Sequence, residues 1–128
     1  YKQRDCMSDF IIPKGKEYVF TVKVMENDTF LPQDLTNMTL AKFELVDMDT
    51  LVSALSVTST TIIGDPVNGT LEFILPALST AALRYERGGK VDGYYLKPTY
   101  QAVITVTGSD FVDILSIVDK VFVVPVGA

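Results

Sequence analysis

Residues 100–107 read Tyr-Gln-Ala-Val-Ile-Thr-Val-Thr. Tyr100, Ala102, Ile104 and Val106 alternate with Gln101, Val103, Thr105 and Thr107, a period of two that sets one row of side chains on each face of a β-strand. The residues are mostly β-branched or aromatic, which suits a pleated, half-buried strand and disfavours a helix. The same pattern recurs at residues 17–25 (EYVFTVKVM), with Tyr18, Phe20, Val22 and Val24 on one face. At residues 39–47 it puts Ala41, Phe43 and Leu45 inward and Lys42 and Glu44 toward water. In TLEFIL, residues 70–75, Leu71, Phe73 and Leu75 share a face.

The connections are equally legible. Glu26-Asn27-Asp28 and Asp47-Met48-Asp49-Thr50 supply side chains that bond their own backbone, so each ends a strand, and residues 51–57 fold back from the second as a hairpin arm. Residues 58–63 are β-branched at nearly every position and therefore extended. Gly64-Asp65-Pro66-Val67-Asn68-Gly69 is the strongest turn signal in the chain, because Asn-Gly accepts positive φ. Residues 77–85 (ALSTAALRY) have helical character for two turns at most, between Pro76 and Gly88-Gly89. Residues 84–93, with their charges and three glycines, read as an exposed loop. Gly108-Ser109-Asp110 turns the chain, and residues 111–124 give one or two closing strands ended by Pro125. Short strands, regular turns and one short connector helix predict an all-β, antiparallel β-sandwich.

The chain has 128 residues, enough for one domain with its own core. Residues 1–9 (YKQRDCMSD) have no strand or helix period and read as a flexible N-terminal arm; residues 10–128 form the single folded domain. Opening on Tyr1 rather than Met, the chain is expected to be a trimmed or processed product. It contains no His and no Trp, which excludes a Ser-His-Asp triad, a Cys-His dyad and a His-ligated metal centre. One Cys, Cys6, rules out an intrachain disulfide and a CxxC motif. A net charge of −5 opposes attraction to nucleic acid or an anionic membrane. No apolar run approaches the ~18 residues needed to cross a bilayer, and residues 1–9 are too polar for a secretory signal, so a soluble chain without membrane insertion is expected.

Candidate chemistry is sparse. Asp47 with Asp49, and Asp110 with Asp113, are the nearest carboxylate pairs for acid–base work, but both lie in predicted turns, where Asp is favoured for its backbone-bonding side chain. Asp47-x-Asp49 also lacks the Gly and distal Glu of an EF-hand loop. Neither GxGxxG nor a Walker pattern occurs. No catalytic residue, cofactor or metal is expected. Asn-x-Thr triplets begin at Asn27, Asn37 and Asn68, as a Thr-rich β protein with Asn in its turns readily generates. Tyr100 reads as a core residue making a tyrosine corner. Tyr94 and Tyr95 are adjacent on a strand, so one of them faces outward and serves as a contact residue, with Phe30 in a loop as another. Arg84, Arg87 and Lys90 form a small basic loop on an acidic body, solvated or docked on an acidic neighbour.

Four stretches together resemble the immunoglobulin-like N-terminal domain of phage baseplate upper proteins, related to siphophage tail-tip collar modules: DFIIPKGKEYVFTVKV (9–24), LPQDLTNMTLAKFELVD (31–47), NGTLEFIL (68–75) and GYYLKPTYQAVITV (93–106). The resemblance covers nearly all of the chain after residue 9. Lys14-Gly15 turns the chain into the first long strand, and Asp34-Leu35-Thr36 anchors one apolar residue beneath a locally bonded loop. The chain departs from the family at Asn37, where Gly is common, at the hairpin following Asp47, which lacks the usual Gly, and in the longer charged loop from residue 84. The resemblance implies an immunoglobulin-like sandwich acting as a non-enzymatic virion protein of the tail tip or baseplate. It implies docking to other tail proteins in a homo-oligomeric ring, with the host cytoplasm occupied during assembly. Tyr1, Lys2 and Arg4 in the arm, with Phe30, Arg84, Arg87, Tyr94 and Tyr95, are the expected contact residues. A carbohydrate- or receptor-binding module using Tyr94 and Tyr95 as stacking platforms is the alternative, and a carboxylate hydrolase a distant third.

Overall fold

The computed structural model describes residues 10–26, 29, 31–91, 94–111 and 113–125, with backbone alone for 87–91, 94–96 and 119. Among them run nine strands: β1 (Phe10–Pro13), β2 (Tyr18–Lys23), β3 (Met38–Asp47), β4 (Ser53–Ser59), β5 (Thr70–Leu75), β6 (Glu86–Val91), β7 (Tyr94–Lys97), β8 (Tyr100–Gly108) and β9 (Ile114–Val124). A one-turn helix, α1 (Ala77–Thr80), follows Pro76, and a 3-10 turn spans Pro66–Asn68.

The larger sheet has the order β1-β9-β8-β3-β4, and β2-β5 form the facing sheet. The two sheets pack face to face as an all-β sandwich, β2 and β5 on one side and β1, β9, β8, β3 and β4 on the other. Residues 61–63 run beside β5, with Ile62 bridging Leu71. The inward rows are those read from the alternation. Ala41, Phe43 and Leu45 of β3 and Tyr100, Ala102, Ile104 and Val106 of β8 meet Val22 of β2 and Leu71, Phe73 and Leu75 of β5 in one buried cluster. Phe20 and Phe73 stack across the β2–β5 ladder at 5.7 Å, and Phe43 reaches both from the opposite sheet, at 5.0 Å and 5.8 Å. These rings join the two sheets.

Two features depart from the sequence reading, and a third settles an alternative it left open. The sheet is mixed, because β1 pairs parallel to β9. A parallel pair needs a long connection, and almost the whole domain lies between these two strands. The exposed loop expected at residues 84–93 is corrected: β6 and β7 form an antiparallel hairpin with Glu86 opposite Lys97 and Val91 opposite Tyr94. Ladder bonds are made by backbone groups, so Gly88 and Gly89 do not prevent the pairing, and the register shifts between Glu86 and Lys90. The closing segment is one strand with a bulge, since Ala102 pairs with Val118 but Tyr100 with Val121, so that residues 119 and 120 together face Gln101. Past the bulge, Val121 to Val124 are all buried, with Phe122 and Val124 packed against Ile11 on the side away from the main core.

The polar anchors explain the loops. Asp34 Oδ1 accepts from Thr36 N at 2.9 Å and Thr36 Oγ1 at 2.5 Å while Leu35 is fully buried beneath them. Gly15 and Gly69 take positive φ, but Asn37 does not; Leu51, at φ 60°, is the non-glycine with positive φ among the described residues.

Candidate interaction surface

The antiparallel path collects three connections at one end of the sandwich: residues 14–17 between β1 and β2, residues 48–52 between β3 and β4, and the crossover from β5 to β8 that carries α1, β6 and β7. The crossover is tied down at every level. Lys14 Nζ donates to the carbonyls of Ala81 and Leu83, at 2.6 Å and 2.7 Å, capping the chain as it leaves α1. Thr80 Oγ1, fully buried, donates to the Lys16 carbonyl at 2.7 Å.

Tyr100 is the first residue of β8 and only 2% exposed. Its hydroxyl accepts from the backbone N–H of Arg84 at 2.9 Å, the tyrosine corner read from the sequence, placed at the start of β8. The Arg84 carbonyl accepts from Thr99 Oγ1 at 3.3 Å. With its backbone fixed, the Arg84 guanidinium reaches back 37 residues to the β3–β4 turn. Nε donates to Asp47 Oδ2 at 2.8 Å and Nη2 to Asp47 Oδ1 at 3.0 Å, a bidentate pair, while Nη2 also meets Asp49 Oδ2 at 3.0 Å. Nη1 pairs with Glu86, which in turn pairs with its cross-strand neighbour Lys97 at 2.8 Å.

The electrostatics follow from this clasp. The Arg84 guanidinium holds the Asp47 carboxyl far below the usual carboxylate range, helped by the backbone N–H groups of Asp49 and Thr50 and opposed by burial. Glu86 is lowered, chiefly by Lys97 and then by Arg84, and Lys97 is raised by Glu86. Asp47 Oδ1 also accepts from Asp49 N at 2.8 Å and Thr50 N at 3.3 Å, so the turn-forming role read from the sequence is the one it plays. The carboxylate pair weighed as acid–base or calcium-binding chemistry is committed to the turn and to Arg84. In the second pair, Asp110 accepts from Asn37 Nδ2 at 2.6 Å.

The expected contact residues divide accordingly. Arg84 is an internal clamp, its N–H groups donated to Asp47, Asp49 and Glu86. Arg87 lies on β6 and Tyr94 and Tyr95 on β7, in the hairpin that Arg84 braces, with Tyr95 opposite Lys90. Tyr1, Lys2, Arg4 and Phe30 lie outside the described residues, as does the whole arm at residues 1–9. Sequence reasoning missed the apolar side chains exposed at this end, above all Leu78 on α1, 89% exposed, and Leu51 and Val52 in the β3–β4 turn. The signal for Leu51 and Val52 was an apolar pair directly after the turn-forming Asp47-Met48-Asp49-Thr50; Leu78 had none. No protein-family model matches the chain, and a search of curated proteins finds no relative.

Proposed function

We propose that the chain is a structural, non-enzymatic assembly module of a phage tail tip or baseplate, working by docking to neighbouring tail proteins in a ring. The observation that carries this reading is the β6–β7 hairpin, a two-stranded sheet separate from both core sheets and braced by Arg84, Glu86 and Lys97. A sandwich needs no such addition to close its core. An element that is braced, peripheral and rich in residue types suited to contacts is what a docking module requires. The four stretches that resemble the baseplate family support it, because their residues perform structural tasks here: the turn at Gly15, the cap over Leu35, the Asn68-Gly69 turn and the Tyr100 corner.

Replacing residues 86–97 with a short linker tests the reading in virus particles. The core sheets do not include the hairpin, so the shortened protein is expected to melt cooperatively yet fail to enter tails. Normal incorporation would refute the docking role of the hairpin. Deleting residues 1–9 is expected to weaken incorporation and leave the fold intact. Binding of the isolated domain to a glycan array, lost in Tyr94→Ala and Tyr95→Ala, would favour the carbohydrate-binding alternative instead.

A further inference from the structure

A strand at the end of a sheet leaves one row of backbone N–H and C=O groups without a ladder partner, and folded proteins guard such rows with charges, proline or short length. In the two core sheets most ends are guarded. β1 has four residues and finishes on Pro13. β2 follows Glu17 and finishes on Lys23. The far side of β5 is covered by residues 61–63, where Ile62 bridges Leu71 and Glu72 N donates to the Thr61 carbonyl at 3.0 Å. β4 differs. It ends the larger sheet beyond β3, and its seven residues, Ser-Ala-Leu-Ser-Val-Thr-Ser, include no charge, no proline and no glycine. An extended backbone is the partner that matches such a row group for group.

Two local features delimit the stretch of β4 that can accept a strand. Leu45 pairs with Leu55 but Val46 with Ser53, so Ala54 is an extra residue and the edge bends there. After Ser59 the chain leaves for the other sheet, and Ser59 Oγ donates to the Glu72 carbonyl at 2.5 Å. Leu55 to Ser59 remain, with Val57 at their middle. Leu55 and Val57 pack against the core, Val57 only partly covered by it. Ser56 and Thr58 are exposed on the outer face, opposite Glu44 and Lys42 of β3 respectively. Neither Glu44 nor Lys42 makes an ion pair among the described residues.

We propose that two copies of the chain pair through β4, antiparallel about a two-fold axis at Val57, so that their larger sheets join into one. Such a contact is isologous and closes at a dimer. With the axis at the middle of the free stretch, Val57 meets its own counterpart on the core face, and Ser56 meets Thr58 on the outer face. Each outer row, read across four strands, then runs Lys42 and Thr58 in one copy, Ser56 and Glu44 in the other. Three strand spacings, roughly 14 Å, separate the two ends of the row at the backbone. The Lys and Glu side chains span much of that distance over the short Ser and Thr, which brings unlike charges within a Debye length of ~10 Å. Moving the axis to Ser56 would set Glu44 against Glu44, and moving it to Thr58 would set Lys42 against Lys42. The register fixed by the bend and the exit is therefore the one that pairs unlike charges. Five residues a side make a small interface, so the association is weak. The pairing goes beyond the docking role proposed above and does not depend on it.

Sedimentation velocity of the purified chain at low ionic strength, from about 10 μM to about 1 mM, tests it over the range suited to a small interface. The wild type is expected to pass from monomer to dimer. Amide exchange within Leu55–Ser59 should slow as the concentration rises, while exchange in β2 stays the same. Lys42→Glu and Glu44→Lys each put like charges at the ends of both rows and should weaken the dimer about fivefold or more. Both side chains lie on the outer face, so each variant is expected to melt with the wild type. Mixing the two variants is the decisive step. A K42E copy paired with an E44K copy has unlike charges in both rows, and the mixture should regain the wild-type affinity. A wild type that stays monomeric, β4 amides indifferent to concentration, variants that dimerise undiminished, or a mixture no tighter than its components would overturn the pairing. None of those results would touch docking to other tail proteins, which is read from incorporation of the hairpin-deleted chain.

Discussion

Tyr100→Phe removes one oxygen and leaves the ring, so the packing of the aromatic side chain in the core is preserved. What is lost is the acceptor for the Arg84 N–H, 2.9 Å away, at a residue only 2% exposed. A buried donor left without its partner costs about 1–3 kcal/mol, more than the net worth of the bond itself, because water does not replace the acceptor. For a domain of this length the melting temperature falls by roughly 4 °C per kcal/mol, which places the expected drop at roughly 4–12 °C. Equilibrium urea unfolding should show a lower midpoint with an unchanged slope, because the surface exposed on unfolding does not change. Amide exchange at Arg84 should accelerate, while exchange in β2 and β5 follows only the global loss. A variant within about 0.3 kcal/mol of the wild type would mean that the hydroxyl does not hold the crossover, and the corner would lose its role in placing Arg84.

Two further predictions follow from the turns. The Asp47 carboxyl is depressed by Arg84, so its contribution is fully present above the unfolded-state value near 3.9 and is lost as pH falls through the lower folded value. Wild-type stability in urea should thus decline from about pH 5 downward, and Asp47→Asn should be about 1 kcal/mol less stable at pH 7 with a flatter acid limb; an unchanged limb would remove Arg84 as its cause. Gly69 has φ 71°, and an added Cβ would lie 2.7 Å from the Val24 carbonyl oxygen and 2.9 Å from that of Gln33. Both are backbone atoms within the hydrogen-bonded path from β2, so Gly69→Ala should cost about 2–3 kcal/mol in thermal or urea melts, and a near-neutral result would contradict the close approach.

The strands that face the core on one side were legible because burial imposes a period of two: Tyr18, Phe20 and Val22 in β2, Phe43 in β3, Phe73 in β5 and Ile104 in β8 all sit where the alternation puts them. The strands without that constraint were not. In β1, four residues with Ile12 in one cluster and Ile11 against Phe122 and Val124 in another, both faces are covered, so no alternation marks it. The β6 sequence ERGGKV carries no apolar row because its sheet is not part of the core. The Asp47 turn was readable from local chemistry, whereas its pairing with Arg84 spans 37 residues and leaves no trace in spacing. Left-handed Leu51 was hidden for the opposite reason, since the residue type argues against the conformation it adopts.

The parallel seam between β1 and β9 sets how the module responds to tension. Phe10 to Pro13 lie alongside Val121 to Val124, and Lys14 N adds a bond to the Val124 carbonyl at 2.8 Å. Pulling the chain from both ends drags these neighbours in opposite directions along a shared axis. Their bonds are then sheared together instead of being peeled one at a time, so the seam acts as a mechanical latch that holds until most of its bonds break at once.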